Sequence, residues 1–220
     1  MKYEIRYKPA FAAVFLTLEP GETMIAEAGA MASMDGALSM KTEFSGGLIP
    51  ALLKKFFGGE SLFVNVFKNT TGEPLTVVLT QSVIGDIDRL ELNGNEMYLQ
   101  PGAYIASTSK VKLGVGWAGF ASWFAGEGLF KLKVSGTGRV LFGAYGGIIK
   151  HRISGEFIVD NSHLVAYSPK IKMSIGLSGN FISSITSGEG FINRLKGDGV
   201  IYLQSRSISG LVRFLRPKVR

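Results

Sequence analysis

The sequence predicts one all-β domain assembled from three related β-units, and three observations carry that expectation. First, a pattern that opens at Met24-Ile25-Ala26-Glu27 and closes at Leu38-Ser39-Met40 recurs twice. It returns at Met97-Tyr98-Leu99-Gln100 through Val111-Lys112-Leu113 and at Phe157-Ile158-Val159-Asp160 through Ile171-Lys172-Met173, offset by 73 and 133 residues without a gap. Second, a glycine–glutamate motif follows each copy, at Gly59-Glu60-Ser61-Leu62-Phe63, Gly126-Glu127-Gly128-Leu129-Phe130 and Gly188-Glu189-Gly190-Phe191-Ile192. Third, 29 glycines in 220 residues exceed ordinary usage, as many short strands joined by tight turns require. A unit this small cannot bury its own apolar face, so the copies must share a core.

The units are expected at about 14–83, 88–148 and 151–206, with 207–220 as a closing strand and basic tail. Each begins with an alternating strand: Phe15 to Leu18, Arg89 to Leu92, and His151 to Ser154. Turns are expected at Gly21-Glu22, Gly94-Asn95-Glu96 and Gly155-Glu156. Two short strands then flank a small-residue corner at Ala28-Gly29-Ala30, Pro101-Gly102-Ala103 and Asn161-Ser162-His163. Period-two alternation in Leu38 to Lys41 and Val111 to Leu113 puts one face inward and the other in water. Small helical inserts are expected within Leu48 to Phe57, Gly116 to Ala125 and Asn180 to Ser187. Closing hairpins should turn at Gly136-Thr137-Gly138 and Gly197-Asp198-Gly199. Ser209 to Phe214 resembles Gly146 to His151, so the last segment should pair with the N-terminal strand and close the ring.

Composition narrows the chemistry. Apolar residues make up 46% and charged residues 19%, enough for a sizeable core and too apolar for a disordered chain. With no cysteine there are no disulfides, thiol nucleophiles or thiolate metal ligands. No apolar signal core follows Met1-Lys2-Tyr3-Glu4, and the uncharged run Leu113 to Gly126 is too short for a membrane span, so a soluble cytoplasmic protein is expected. The net charge of +7 is lopsided: no acidic residue follows Asp198, whereas Arg206, Arg213, Arg216, Lys218 and Arg220 do. The high pI therefore reports a basic tail.

Few motifs carry chemistry. Gly114-Val115-Gly116-Trp117-Ala118-Gly119 matches G-x-G-x-x-G, but no ribose-binding carboxylate follows about twenty residues on and no βαβ periodicity surrounds it. Glycine-rich packing is the preferred reading, and no cofactor is expected. Glu60, Glu127 and Glu189 occupy equivalent positions and could gather around an axis to hold a hard cation. The preferred reading is that each accepts hydrogen bonds from its own glycine turn. Glu27, Gln100 and Asp160 form a second equivalent set, in which the glutamine argues against a role needing three charges. His151 and His163 have no ligand spacing, and no nucleophile elbow or phosphate loop is present. An enzyme is not expected.

The inserts offer surfaces instead. Trp117, Phe120 and Phe124 share one helical face with Trp123 beside them, and Leu52, Phe56 and Phe57 take the equivalent place in the first copy. Packed inward they plug the barrel end, the preferred reading; packed outward they offer a partner or membrane surface.

Gly136-Thr137-Gly138-Arg139-Val140-Leu141-Phe142-Gly143-Ala144-Tyr145-Gly146, with Phe157 through Tyr167, resembles the altered-inheritance-of-mitochondria 24 family. So do Leu18-Glu19-Pro20-Gly21-Glu22 through Met31 and Gly58 through Phe63. The resemblance implies a fold akin to the tryptophan RNA-binding attenuation protein: a short double-stranded β-helix in pseudo-threefold arrangement. It implies no enzymatic activity; mitochondrial members are linked to inner-membrane organisation. The expected function is a non-catalytic binding or scaffold module, in a homo-oligomer or with a protein partner or a membrane surface. RNA binding by fold analogy, which disfavours itself for lack of an aromatic recognition signature, and a small-ligand or cation-binding barrel are the alternatives.

Overall fold

The computed structural model describes residues 2–44, 63–100, 102–117, 130–177, 191–216 and 218. They form fifteen strands in two sheets, with one short 3-10 turn and one α-helix among the described residues. β1 (Lys2–Arg6), β2 (Ala13–Leu18), β4 (Met31–Met34) and β7 (Leu75–Leu79) make a four-stranded sheet in the order β1-β2-β7-β4. The larger sheet has eleven strands. Its first members are β3 (Thr23–Glu27), β5 (Ser39–Phe44), β6 (Phe63–Lys68), β8 (Ile87–Leu99), β9 (Tyr104–Thr108) and β10 (Val111–Trp117). The others are β11 (Phe130–Gly143), β12 (Ile148–Asp160), β13 (Leu164–Tyr167), β14 (Lys172–Leu177) and β15 (Phe191–Gln204). The main path is β12-β15-β13-β8-β11-β9-β3-β6-β5, with β10 on β11 and β14 on β15.

The expected turns at Gly136–Gly138 and Gly197–Gly199 are not hairpins. Both triplets lie inside single continuous strands, β11 and β15. The N-terminal half of β11 pairs with β10, and its C-terminal half pairs with β9. β15 likewise pairs with β14 and then with β13. A strand that changes partner midway must bend, and glycine supplies the bend. Gly136 has φ 106° and Gly197 φ 143°, backbone that L side chains rarely adopt. A Cβ there would also lie 2.8 Å from the Lys110 carbonyl oxygen and 2.6 Å from that of Lys170. The expected turns at Gly94 and Gly155 are likewise interior to β8 and β12; Gly94 is the unpaired residue of a bulge, since Gly136 faces Asn95 and Thr137 faces Asn93. Only Gly21 separates two strands, β2 and β3.

The small-residue corners stand as expected. Ala30 N–H donates to Glu27 O and Ala103 N–H to Gln100 O, both at 3.2 Å, while Asn161–His163 is the 3-10 turn. Strands after these corners pair in one recurring register. Met31 faces Leu79, Tyr104 faces Phe142, and Leu164 faces Leu203. Ile25 and Ala26 face Ser107 and Ala106, as Tyr98 and Leu99 face Tyr167 and Ala166.

The expected closing strand is a correction: Ile208–Leu215 is an α-helix, α1. Ile208, Leu211, Val212 and Leu215 fall at helical spacing, and the Ser207 side chain accepts from Gly210 N–H as N-cap. Among the described residues β1 pairs with β2 alone, so the C-terminal segment does not pair with the N-terminal strand.

The core comprises three apolar clusters. One joins β2, β3, β6 and β7 around Leu16, Met24, Phe67 and Leu79. The second lies on β8, β9 and β11 around Leu99, Tyr104, Val134 and Phe142. The third, on β12, β13 and β15, holds Leu164, Leu195 and Ile201. Ring pairs sit within two of them: Phe142 meets Tyr202 edge-on at 5.0 Å in the second, and Tyr98 stacks on Tyr167 at 5.3 Å in the third. At one corner the backbones touch. Phe11 bridges Gly85 and Gly85 bridges Gly146, both parallel. A Cβ on Gly85 would sit 1.9 Å from the Ala144 carbonyl oxygen.

Two predictions follow from this packing. Gly85→Ala must push backbone apart rather than a flexible side chain, so unfolding by denaturant should show a loss of about 3 kcal/mol; an unchanged midpoint contradicts the corner contact. Burial pushes the Tyr167 phenol up to about 12 and the Tyr104 phenol, bonded to Ser107 Oγ at 2.9 Å, well above its ordinary range. An unfolded tyrosine ionises near ~10. Their contribution is therefore complete below that pH and is lost as pH rises toward the folded values. Denaturant midpoints should fall above pH ~10, and Tyr167→Phe should flatten that fall; parallel profiles for variant and parent refute the assignment.

Candidate functional site: the exposed C-terminal helix and its corner

Ser205 N–H donates to Gly147 O at 3.0 Å and Arg206 N–H to Tyr145 O at 3.2 Å, which lays the end of β15 against the Gly146 corner. The chain then leaves the sheet as α1. None of the helix's residues is buried, and Val212 and Phe214 are 55% and 60% exposed. Ile208, Leu211, Val212 and Leu215 form one apolar stripe. Every charged side chain that follows Asp198 in sequence is cationic, among them Arg206, Arg213, Arg216 and Lys218, with Lys218 Nζ 3.2 Å from the Phe214 ring centroid. A cation in the last turn, Arg213, also complements the helix dipole.

The corner beside α1 is apolar and exposed as well. Phe11 is 69% exposed, and Tyr7 and Ile84 are similarly open. Lys8 ties this segment down by donating to Ile87 O at 2.9 Å and pairing with Asp86 at 3.4 Å. Gly146 N–H donates to Ile84 O at 2.9 Å, so Phe11, Ile84 and the start of α1 share one corner.

Most side chains singled out from the sequence lie outside the described residues: Glu60, Glu127, Glu189, Leu52, Phe56, Phe57, Phe120, Trp123, Phe124 and Arg220. Trp117 pairs with Phe130 at the end of the β10–β11 ladder, and its side chain is likewise outside them. Gly114 and Gly116 lie within strand β10, not at a strand-to-helix turn. A Cβ on Gly116 would meet the Tyr98 ring at 2.5 Å, a packing reason for that glycine. His163 Nδ1 is 2.7 Å from Gln204 O, and His151 packs on Phe157 at 4.9 Å. Asp160 accepts from Ser162 N–H at 2.7 Å, capping the 3-10 turn. Among the described residues no three His, Asp or Glu side chains gather as a metal site. Nor is any helix among them long and apolar enough to cross a membrane.

Sequence reasoning missed the helix and the corner. The spacing of Ile208, Leu211, Val212 and Leu215 behind Ser207 was the available signal for α1. Nothing linear links Phe11, Ile84 and Gly146, which only the fold joins.

Known proteins place the chain in a family. A Streptococcus pyogenes serotype M6 protein, described as uncharacterized, is 29% identical over 217 residues, covering 94% of this chain and 87% of the relative. The crystal structure of another Streptococcus pyogenes protein superposes with a TM-score of 0.80 at 26% identity, covering 99% of both chains. The family model described as Mitochondrial biogenesis AIM24 matches residues 3–206, so this chain belongs to the AIM24 family.

Proposed function

We propose that this chain is a non-catalytic binding module that docks on an anionic membrane surface through α1. The observation that carries the reading is the helix itself: an apolar stripe with no buried residue, flanked only by cations. An unpartnered apolar helix face in water is costly unless something covers it. Cations beside the stripe select a negatively charged cover, and a lipid interface takes an amphipathic helix lying flat with its apolar side in the headgroup boundary. Phe11 and Ile84 beside the helix start extend the apolar contact.

The body that carries the helix is, in this reading, three copies of one β-unit in the pseudo-threefold manner of the attenuation-protein fold. Support comes from register. Met31, Tyr104 and Leu164, spaced by the sequence offsets of 73 and 133 residues, each open a ladder with a one-residue register shift after the first pair. In the first copy β6 and β7 are separate strands where the others run continuously, and buried Asn69 holds the break by donating to Leu18 O and Glu73 O at 2.8 Å. Such a body is rigid, and it suits a scaffold residing in the cytoplasm.

Co-sedimentation with vesicles tests the reading. The protein should pellet with phosphatidylglycerol-containing vesicles and stay in solution with pure phosphatidylcholine. Leu211→Glu should abolish pelleting, and removing Arg213 and Arg216 charges should weaken it by about 1 kcal/mol each. Ser207→Ala, which removes the cap at a cost of about 1 kcal/mol, should lower helicity by circular dichroism and weaken binding in step. Equal pelleting of Leu211→Glu and the parent sinks the idea. Steeply salt-dependent RNA binding without vesicle binding replaces it with nucleic-acid recognition.

A further inference from the structure

A trough along β1, β8, β11 and β15 holds a second set of cations, none of them on the helix. At one end, a concavity of about 400 Å³ lies between β1 and the β8–β11 ladder, lined by Lys2, Tyr3, Arg89, Glu91 and Arg139. Glu91 Oε1 holds both guanidinium groups, at 3.1 Å from Arg139 Nε and 3.8 Å from Arg89 Nε. Arg89 Nη1 also donates to Tyr3 Oη at 3.0 Å, and the Arg139 guanidinium lies 5.5 Å from the Tyr3 ring centroid. One carboxylate and one ring thus fix two arginines side by side, each through one edge. The Nη donors of Arg139 have no hydrogen-bond partner among the described residues. Lys2 meets Glu19 at 3.5 Å; with that carboxylate counted, this end still carries an excess positive charge.

The neighbouring concavity of about 510 Å³ shares Arg89 and Glu91 with the first, so the two run together. Its character differs. Leu90, Met97, Val200 and Tyr202 supply apolar surface, with Asp88 and Lys150 of opposite charge on the rim. Lys150 Nζ is 5.9 Å from the Tyr202 ring centroid.

We propose that this trough binds a small organic phosphate ester, its phosphoryl group at Arg89 and Arg139 and its apolar or ring-bearing body over Val200 and Tyr202. Two guanidinium groups held by an existing carboxylate need little reordering on binding, and their unspent donors match phosphoryl oxygens in forked geometry. The adjoining apolar floor rewards a body that inorganic phosphate lacks. Glu91 and Tyr3 act as positioning residues.

Calorimetric titration with 1-naphthyl phosphate tests the site, with 1-naphthol and inorganic phosphate as separate arms. The expected result is saturable binding of naphthyl phosphate, tighter than either fragment. Arg139→Gln should weaken it roughly tenfold, the worth of one charge-assisted hydrogen bond. The helix variant Leu211→Glu should bind as the parent does, which separates this site from the membrane surface. Naphthol binding as well as its phosphate, inorganic phosphate binding as well as the ester, or an Arg139→Gln variant that titrates like the parent would each overturn the proposal. Unchanged circular dichroism of Arg139→Gln, a half-exposed side chain, guards against loss of fold as the cause.

Discussion

A long strand that serves two ladders in succession is the constraint on which this molecule depends. β11 and β15 each pair on one flank with one short strand along their first half and with a different one along the second. Without that change of partner, β9 could not reach β3 and β13 could not reach β8, so the larger sheet would fall into separate pieces. The bend has a steric condition. At Gly136 and Gly197 the backbone takes positive φ and runs against a lysine carbonyl, where any Cβ would collide. Between β6 and β7 the chain instead breaks into two strands, and the buried Asn69 amide bridges the gap.

That constraint explains which parts of the fold were legible in the sequence. The small-residue corners report local backbone needs and appear where expected, whereas the alternation read in Leu38 to Lys41 does not hold, since Met40 is exposed beside Lys41. Glycine pairs report a need for positive φ, which a tight turn and a bulge share. Gly136 and Gly138 therefore read as a hairpin turn, although the strand bends there and continues. Only knowledge of a second partner on the same strand distinguishes the cases, and partners separated by tens of residues leave no local trace. The arginine–glutamate–tyrosine cluster illustrates the same limit, since Tyr3, Arg89 and Arg139 come from three distant strands. The carboxylates and insert aromatics chosen from the sequence fall outside the described residues, so the surfaces argued from structure are different ones.

The C-terminal segment was misread for a related reason. Ser209 to Phe214 resembles Gly146 to His151 residue by residue, and that likeness suggested another strand. Environment separates the two. Gly146 sits at φ 77° in a crowded corner, where Arg206 and Ser205 would crowd a Cβ, and the residues after it enter the β15 ladder. After Ser207 the chain pairs with no strand among the described residues, and the Ser207 hydroxyl caps Gly210 instead. An isolated strand gains nothing without a ladder, whereas a helix satisfies its own backbone groups. The four apolar residues at helical spacing then fall on one side, where none of them is buried.

Charge placement connects that helix to its surroundings. After Asp198 the chain carries only cations, so the basic excess is concentrated where the apolar stripe is open. On the sheets the opposite holds: Arg152 pairs with Asp198 at 2.9 Å and Arg194 with Glu156 at 3.1 Å, and their fields cancel locally. Such exposed pairs add little stability, about 0–1 kcal/mol each. Their consequence is one of contrast. Paired charges of this kind steer an anionic surface weakly, whereas the cations after Asp198 have no acidic neighbour in sequence to oppose them. On the proposed reading, that asymmetry sets the orientation: the corner of Phe11, Ile84 and α1 would face the negative surface.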